Sequence, residues 1–105
     1  MVEVWKYVDG QGRSPFDAWL RGLSDRVLRA RVQVRIERLA LGLEGDWKGV
    51  GEGIRELRIP AGPGLRIYYA WDGPLLVLLL CGGDKSSQPD DIRKAKAYWR
   101  DYRGQ

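Results

Sequence analysis

Residues 54–85 read IRELRIPAGPGLRIYYAWDGPLLVLLLCGGDK, three apolar runs separated by turn-forming residues. Pro60, Gly62, Pro63 and Gly64 part the first run from the second; Asp72, Gly73 and Pro74 part the second from the third. Short β-branched and aromatic runs bounded by such clusters predict consecutive strands, a meander of antiparallel neighbours. Along the middle run, Leu65, Ile67, Tyr69 and Trp71 fall on one face, and Arg66, Tyr68 and Ala70 on the other. In the first run Leu57 and Ile59 share a face, with Glu56 and Arg58 opposite. If helices cover the apolar face, the other face displays Glu56, Arg58, Arg66 and Tyr68 together. Those groups can grip an anion and move a proton.

Upstream, Val2 to Val8 is a strand by composition. Ser14 before Pro15 is a helix N-cap with proline at the first helical position, so a short helix follows to Leu23. Ser24 and Asp25 open a longer helix on which Leu28, Val32, Ile36, Leu39 and Leu43 form one apolar stripe. Arg31, Arg35 and Arg38 share a face of it, either a phosphate-tracking stripe or a solvated face that would suit an acidic partner. The bulk of Phe16, Trp19 and Leu20 makes this helical hairpin a candidate protein interface. Residues 44–53, EGDWKGVGEG, carry four glycines and no periodicity, which reads as a mobile connection anchored by Trp47. After the third run, Gly82 to Ser87 reads as a loop. A last helix runs from Pro89 to Tyr102 with Ile92, Ala95, Trp99 and Tyr102 inward.

The order is strand, helix, helix, three strands, helix: a single α+β domain over residues 1–105, with helices on one face of an antiparallel sheet and the other face open. No run approaches the ~20 apolar residues of a membrane span. MVEVWKYV has no signal-peptide character, which makes the cytoplasm the expected location. There is no histidine and a single cysteine, Cys81, which reads as a small buried hydrophobe. Histidine acid–base chemistry and the usual zinc sites are thereby excluded, and no cofactor motif is present. Net charge is +4 with a pI near 9.5, carried by 13 arginines against 5 lysines. That bias suits bidentate contact with phosphate or carboxylate.

Cleaving RNA internally requires a 2′-hydroxyl to lose its proton, cations to hold the phosphate, and an acid for the departing oxygen. Arg66, central on its strand, is the candidate for the phosphate, with Arg58 beside it and Lys85 reaching over from the following loop. Glu56 or Tyr68 would move the proton, and Tyr68 could also stack on a base. The alternative is a Glu56–Arg66 or Glu56–Arg58 ion pair on a solvated sheet.

ELRIPAGPGLRIYYAW, then LLLCGGDKSSQPDDIRKAKAYWRDY, with SPFDAWLRGL near the start, resembles the RelE/ParE toxin superfamily, and within it the HigB-like addiction-module killer proteins. The resemblance covers nearly the whole chain. It implies a RelE-like sheet with packed helices and a basic cleft, and the toxin of a type II toxin–antitoxin system. By position Arg66 matches the arginine for the scissile phosphate, Arg58 a basic residue of the preceding strand, and Lys85 the basic residue after the last strand. The implied activity is a metal-independent, ribosome-dependent mRNA endoribonuclease that inhibits translation; the ParE branch instead poisons DNA gyrase. The implied partners are mRNA, the ribosome and a helix-turn-helix antitoxin encoded in the adjacent gene. Residues 89–96, where RelE-type members carry a tyrosine or histidine for acid–base work, offer neither.

Overall fold

Alternation and turn chemistry produce the central meander as expected. In the computed structural model, which describes residues 1–104, β3 (Ile54–Ile59), β4 (Leu65–Trp71) and β5 (Leu76–Asp84) pair antiparallel in sequence order. Before them come β1 (Glu3–Lys6), α1 (Pro15–Gly22), α2 (Arg26–Ala40) and β2 (Trp47–Gly51). After β5, one 3-10 turn (Lys85–Ser87) leads into α3 (Gln88–Gly104). The caps act as read: Ser14 Oγ accepts from Asp17 N at 3.2 Å, and Asp25 Oδ1 from Val27 N at 2.8 Å.

The sheet is mixed and five-stranded, in the order β1-β5-β4-β3-β2. Two features depart from the expected antiparallel sheet. β1 pairs parallel with β5, Glu3 opposite Leu76 through Lys6 opposite Leu79, because the α1–α2 hairpin carries the chain from one edge of the sheet to the other. The connection expected to be mobile contains the edge strand β2, paired antiparallel with β3. Its hairpin turns through Gly51, Glu52 and Gly53 at φ +106°, +56° and +83°, so the glycines serve the turn rather than mobility. β2 shows no hydrophobic alternation because backbone pairing, not burial, holds it: all its residues but Val50 are exposed.

Helices cover both faces of the sheet, which corrects the expectation of one open face. α1 and α2 lie on the face of Leu57, Ile59, Leu65, Ile67, Tyr69, Val77 and Leu79, burying Phe16, Val32 and Leu39 against them. Phe16 is fully buried and Trp19 and Leu20 pack on the same core, so their bulk is spent inside the molecule. α3 lies on the opposite face, where Ala95 and Trp99 pack against Tyr68, Ala70, Leu78 and Leu80. Its far end is tied down by Arg100 to Glu52 at 2.6–2.8 Å and Tyr102 to Asp72 at 2.6 Å. Glu44 anchors the entry to β2, accepting from Tyr69 Oη and Arg55 Nη1 at 2.7 Å and from Trp71 Nε1 at 3.2 Å. Among the described residues no helix is long and apolar enough to cross a membrane.

Candidate functional site: a cationic row around a buried glutamate

Pairing across four strands sets two rungs side by side. Lys48, Glu56, Tyr68 and Cys81 form one; Arg58, Arg66 and Gly83 form the next. Residues paired across antiparallel strands project to the same face, so these side chains meet beneath the start of α3.

Glu56 is the hub and is fully buried. Its Oε2 accepts from Tyr68 Oη at 2.9 Å and from Gln88 Nε2 at 2.7 Å, the latter reaching down from the first residue of α3. Its Oε1 lies 3.7 Å from Arg66 Nε and 3.9 Å from Lys48 Nζ, within ion-pair range but without a hydrogen bond. Arg58 Nε and Arg66 Nε are likewise buried and have no hydrogen-bond partner among the described residues. Three orphaned polar atoms on two adjacent rungs leave hydrogen-bonding capacity unused, which is costly in a folded interior. The expected Glu56–Arg66 pair therefore forms, but under cover rather than on a solvated surface.

Tyr68 was expected on an exposed face and is fully buried, as is Glu56, because α3 packs over both. Burial, reinforced by the Glu56 carboxylate, drives the Tyr68 phenol far above its ordinary value of 10.0. In this arrangement neither residue stacks on a base or meets solvent.

The cations are graded in accessibility. The Lys48 side chain is 49% exposed, Arg58 39% and Arg66 13%. Arg58 Nη2 pairs with Asp46 Oδ1 at 3.1 Å, and Arg66 Nη1 donates to the Gly64 and Leu65 carbonyls at 3.3 Å. Lys85 is exposed and flanks Gly64 together with Arg66: a Cβ added there would sit 3.4 Å from Lys85 Cβ and 3.6 Å from Arg66 Nη1. The structure thus brings Arg58, Arg66 and Lys85 to one region, and adds Lys48.

Lys85 is held by a built segment. Gly82 and Gly83, expected in a loop, continue β5, since Gly83 pairs with Arg66. Asp84 then caps the turn, accepting from Ser86 N at 2.8 Å, and Ser87 Oγ donates to Asp91. Gln88 pins the segment to Glu56. Lys48 and Gln88 were the site residues missed in the sequence. The turn residues Gly51-Glu52-Gly53, followed directly by a strand, were the available signal for the hairpin that carries Lys48. Gln88 had none, because its partner is 32 positions away.

Chemically the row offers donors for an oxyanion and places a buried carboxylate behind them. Cys81 adds nothing reactive: burial, then the nearby Asp91, pushes its thiol up to about 12.

No family model matches the chain. Over 81 residues it is 49% identical to a protein of Haemophilus influenzae described as uncharacterized, an alignment spanning 77% of this chain and 82% of the relative. The chain belongs to the family of that protein. Its membership carries no activity with it, so function rests on the site.

Proposed function

We propose that the chain is a RelE/ParE-type toxin, HigB-like, acting as a metal-independent endoribonuclease on mRNA engaged by the ribosome. The observation that carries this reading is the pair Arg58–Arg66, directly opposed across β3 and β4, flanked by Lys48 and Lys85 and backed by Glu56. Four cations on one face place donors around a phosphate and stabilise the charge that develops when a 2′-hydroxyl attacks it. Arg66 is the central donor, Arg58 and Lys85 clamp from either side, and Glu56 with Tyr68 and Gln88 holds the Arg66 guanidinium in place.

The partner in this reading is a helix-turn-helix antitoxin from the adjacent gene. The outer side of α2 supports it: Val27 and Val34, 63% and 44% exposed, lie among Arg31, Arg35 and Arg38 in a groove of about 310 Å³. An acidic, amphipathic segment complements that surface, whereas RNA would leave the valines uncovered.

A second reading has its own observation. Glu56 and Tyr68 are buried and the chain has no histidine, so neither residue expected to move the proton faces a bound RNA. That favours a non-enzymatic inhibitor of DNA gyrase or another host protein. One experiment separates them. Added to a translating extract, the protein cleaves message, and Arg66→Ala lowers the rate at least ~10²-fold, the scale of losing an oxyanion donor. Uncleaved message together with inhibited gyrase supercoiling establishes the second reading instead.

A further inference from the structure

A cleft of about 550 Å³ lies not at the cationic row but across β5 from it. β1 pairs with β5 only from Leu76 to Leu79, so Cys81 to Asp84 have β4 on one side and no strand on the other. That free edge is the cleft floor. Two glycines shape it: a Cβ at Gly82 would fall 2.2 Å from the Trp19 ring, and one at Gly83 1.8 Å from Asp91 Oδ2. Their absence of side chains lets Trp19 come down on one side of the strand and Asp91 on the other. Trp19 from α1 and Tyr98 from α3 are the aromatic walls, both half-buried, and Arg13 and Lys94 stand exposed at the rim.

The outer side is closed by residues 9–14. Gln11 N and Arg13 N donate to Asp9 Oδ1 at 2.9 and 3.0 Å, and Asp9 N donates to the Arg13 carbonyl at 2.9 Å. This built turn lines the cleft opposite the Cys81–Asp84 edge, which favours a compact ligand over an extended peptide. A volume of this size suits a small organic molecule.

We propose that the cleft receives a guanine base of the RNA, held against Trp19 and Tyr98, the latter backed by its stack on Tyr7, and paired with the Asp91 carboxylate. The proposal rests on the RNA reading given above. Asp91 is 8% exposed and, among the described residues, its carboxylate receives one hydrogen bond, from Ser87 Oγ, while its two oxygens have about four acceptor sites. Guanine presents N1–H and N2–H side by side, two donors that match a carboxylate. Adenine, cytosine and uracil each set an acceptor beside the donor, which the carboxylate repels. Arg13 and Lys94 then meet the flanking phosphate, and aromatic walls are the common means of holding an unstacked base. Gly83 connects the two sites, since it pairs with Arg66 on one edge of β5 and borders the cleft on the other.

The test is a titration of the ¹⁵N-labelled full chain with GMP, AMP, CMP and UMP, followed by NMR. GMP is expected to shift the Gly82 and Gly83 amides and the Trp19 indole N–H, and to bind ~10-fold or more tighter than the others, the scale of one good bidentate contact. Asp91→Asn is expected to erase that preference. Lys94→Ala, at an exposed position that does not threaten folding, is expected to weaken all four nucleotides alike and leave the preference intact. No saturable shift at Gly82, Gly83 and Trp19 at millimolar nucleotide overturns the proposal. So do shifts confined to Arg58, Arg66 and Lys85, which mean anion capture alone. Because the titration needs no cleavage, cleaved RNA with an empty cleft sinks this inference alone. A guanine-selective cleft in a chain that cleaves nothing sinks the nuclease reading alone.

Discussion

Glu44 and Glu56 are two carboxylates doing different work. Glu56 sits fully buried behind the cationic row; Glu44 sits half-buried where the chain enters β2. Burial alone would raise the Glu44 carboxyl, but hydrogen bonds from Tyr69, Arg55 and Trp71 outweigh it and hold the group below its ordinary 4.5. A carboxyl depressed on folding stabilises the protein above its unfolded value and loses that contribution as pH falls through the folded one. Glu44→Gln is therefore expected to cost ~1–3 kcal/mol near neutrality, the range for stranding part-buried donors. In urea unfolding, the gap between the two proteins is expected to narrow on acidification below 4.5. A gap independent of pH would show that shape, not charge, is what Glu44 contributes.

At the scale of the element, β5 is the strand on which most depends. It pairs with β4 along its length, with β1 at its start, and presents its last residues to both candidate sites. Gly82 and Gly83 are the positions where it can be tested. Gly82→Ala drives a methyl into the Trp19 ring, and Gly83→Ala into the Asp91 carboxylate. Each is expected to destabilise the fold by about 1–3 kcal/mol, the usual cost of overpacking. Gly10→Ala, with nothing within 4 Å of the added methyl, is expected to be near neutral. Thermal unfolding of the three variants side by side decides it; equal melting temperatures would mean that Trp19 and Asp91 move aside freely.

At the scale of the molecule, one sheet separates two cores of unequal protection. The first is closed by two helices, the second by α3. Removing the chain from Gln88 onward would expose Tyr68, Ala70, Leu78 and Leu80 and strand Glu56 without Gln88. The shortened chain is expected to lose cooperative unfolding and to bind a hydrophobic dye. A sharp two-state transition in it would show that the first core suffices. The same cover explains the cationic row: α3 turns a solvated polar sheet face into one with Arg66 recessed and Lys48, Arg58 and Lys85 at its margin.

Much of the fold was legible in the residues. Period-two alternation across Leu65 to Trp71 and the Pro/Gly turns around it determined β3 to β5 and their pairing, because hydrophobic pattern and turn geometry together fix register. Ser14-Pro15 and Asp25 determined where α1 and α2 begin, because a cap acts on amides two or three residues away. Arg58, Arg66 and Lys85 could be gathered for the same local reason. What tertiary structure decided was everything set by partners distant in sequence. β2 exists because β3 offers it a backbone edge, and β1 runs parallel because the helical hairpin carries the chain across the sheet. Tyr68 and Glu56 are buried because α3 has an apolar stripe to spend. Alternation tells which side chains share a face of a sheet; it does not tell what will lie against that face, since a tyrosine, an alanine and a paired glutamate suit water and a covering helix almost equally until the helix is there.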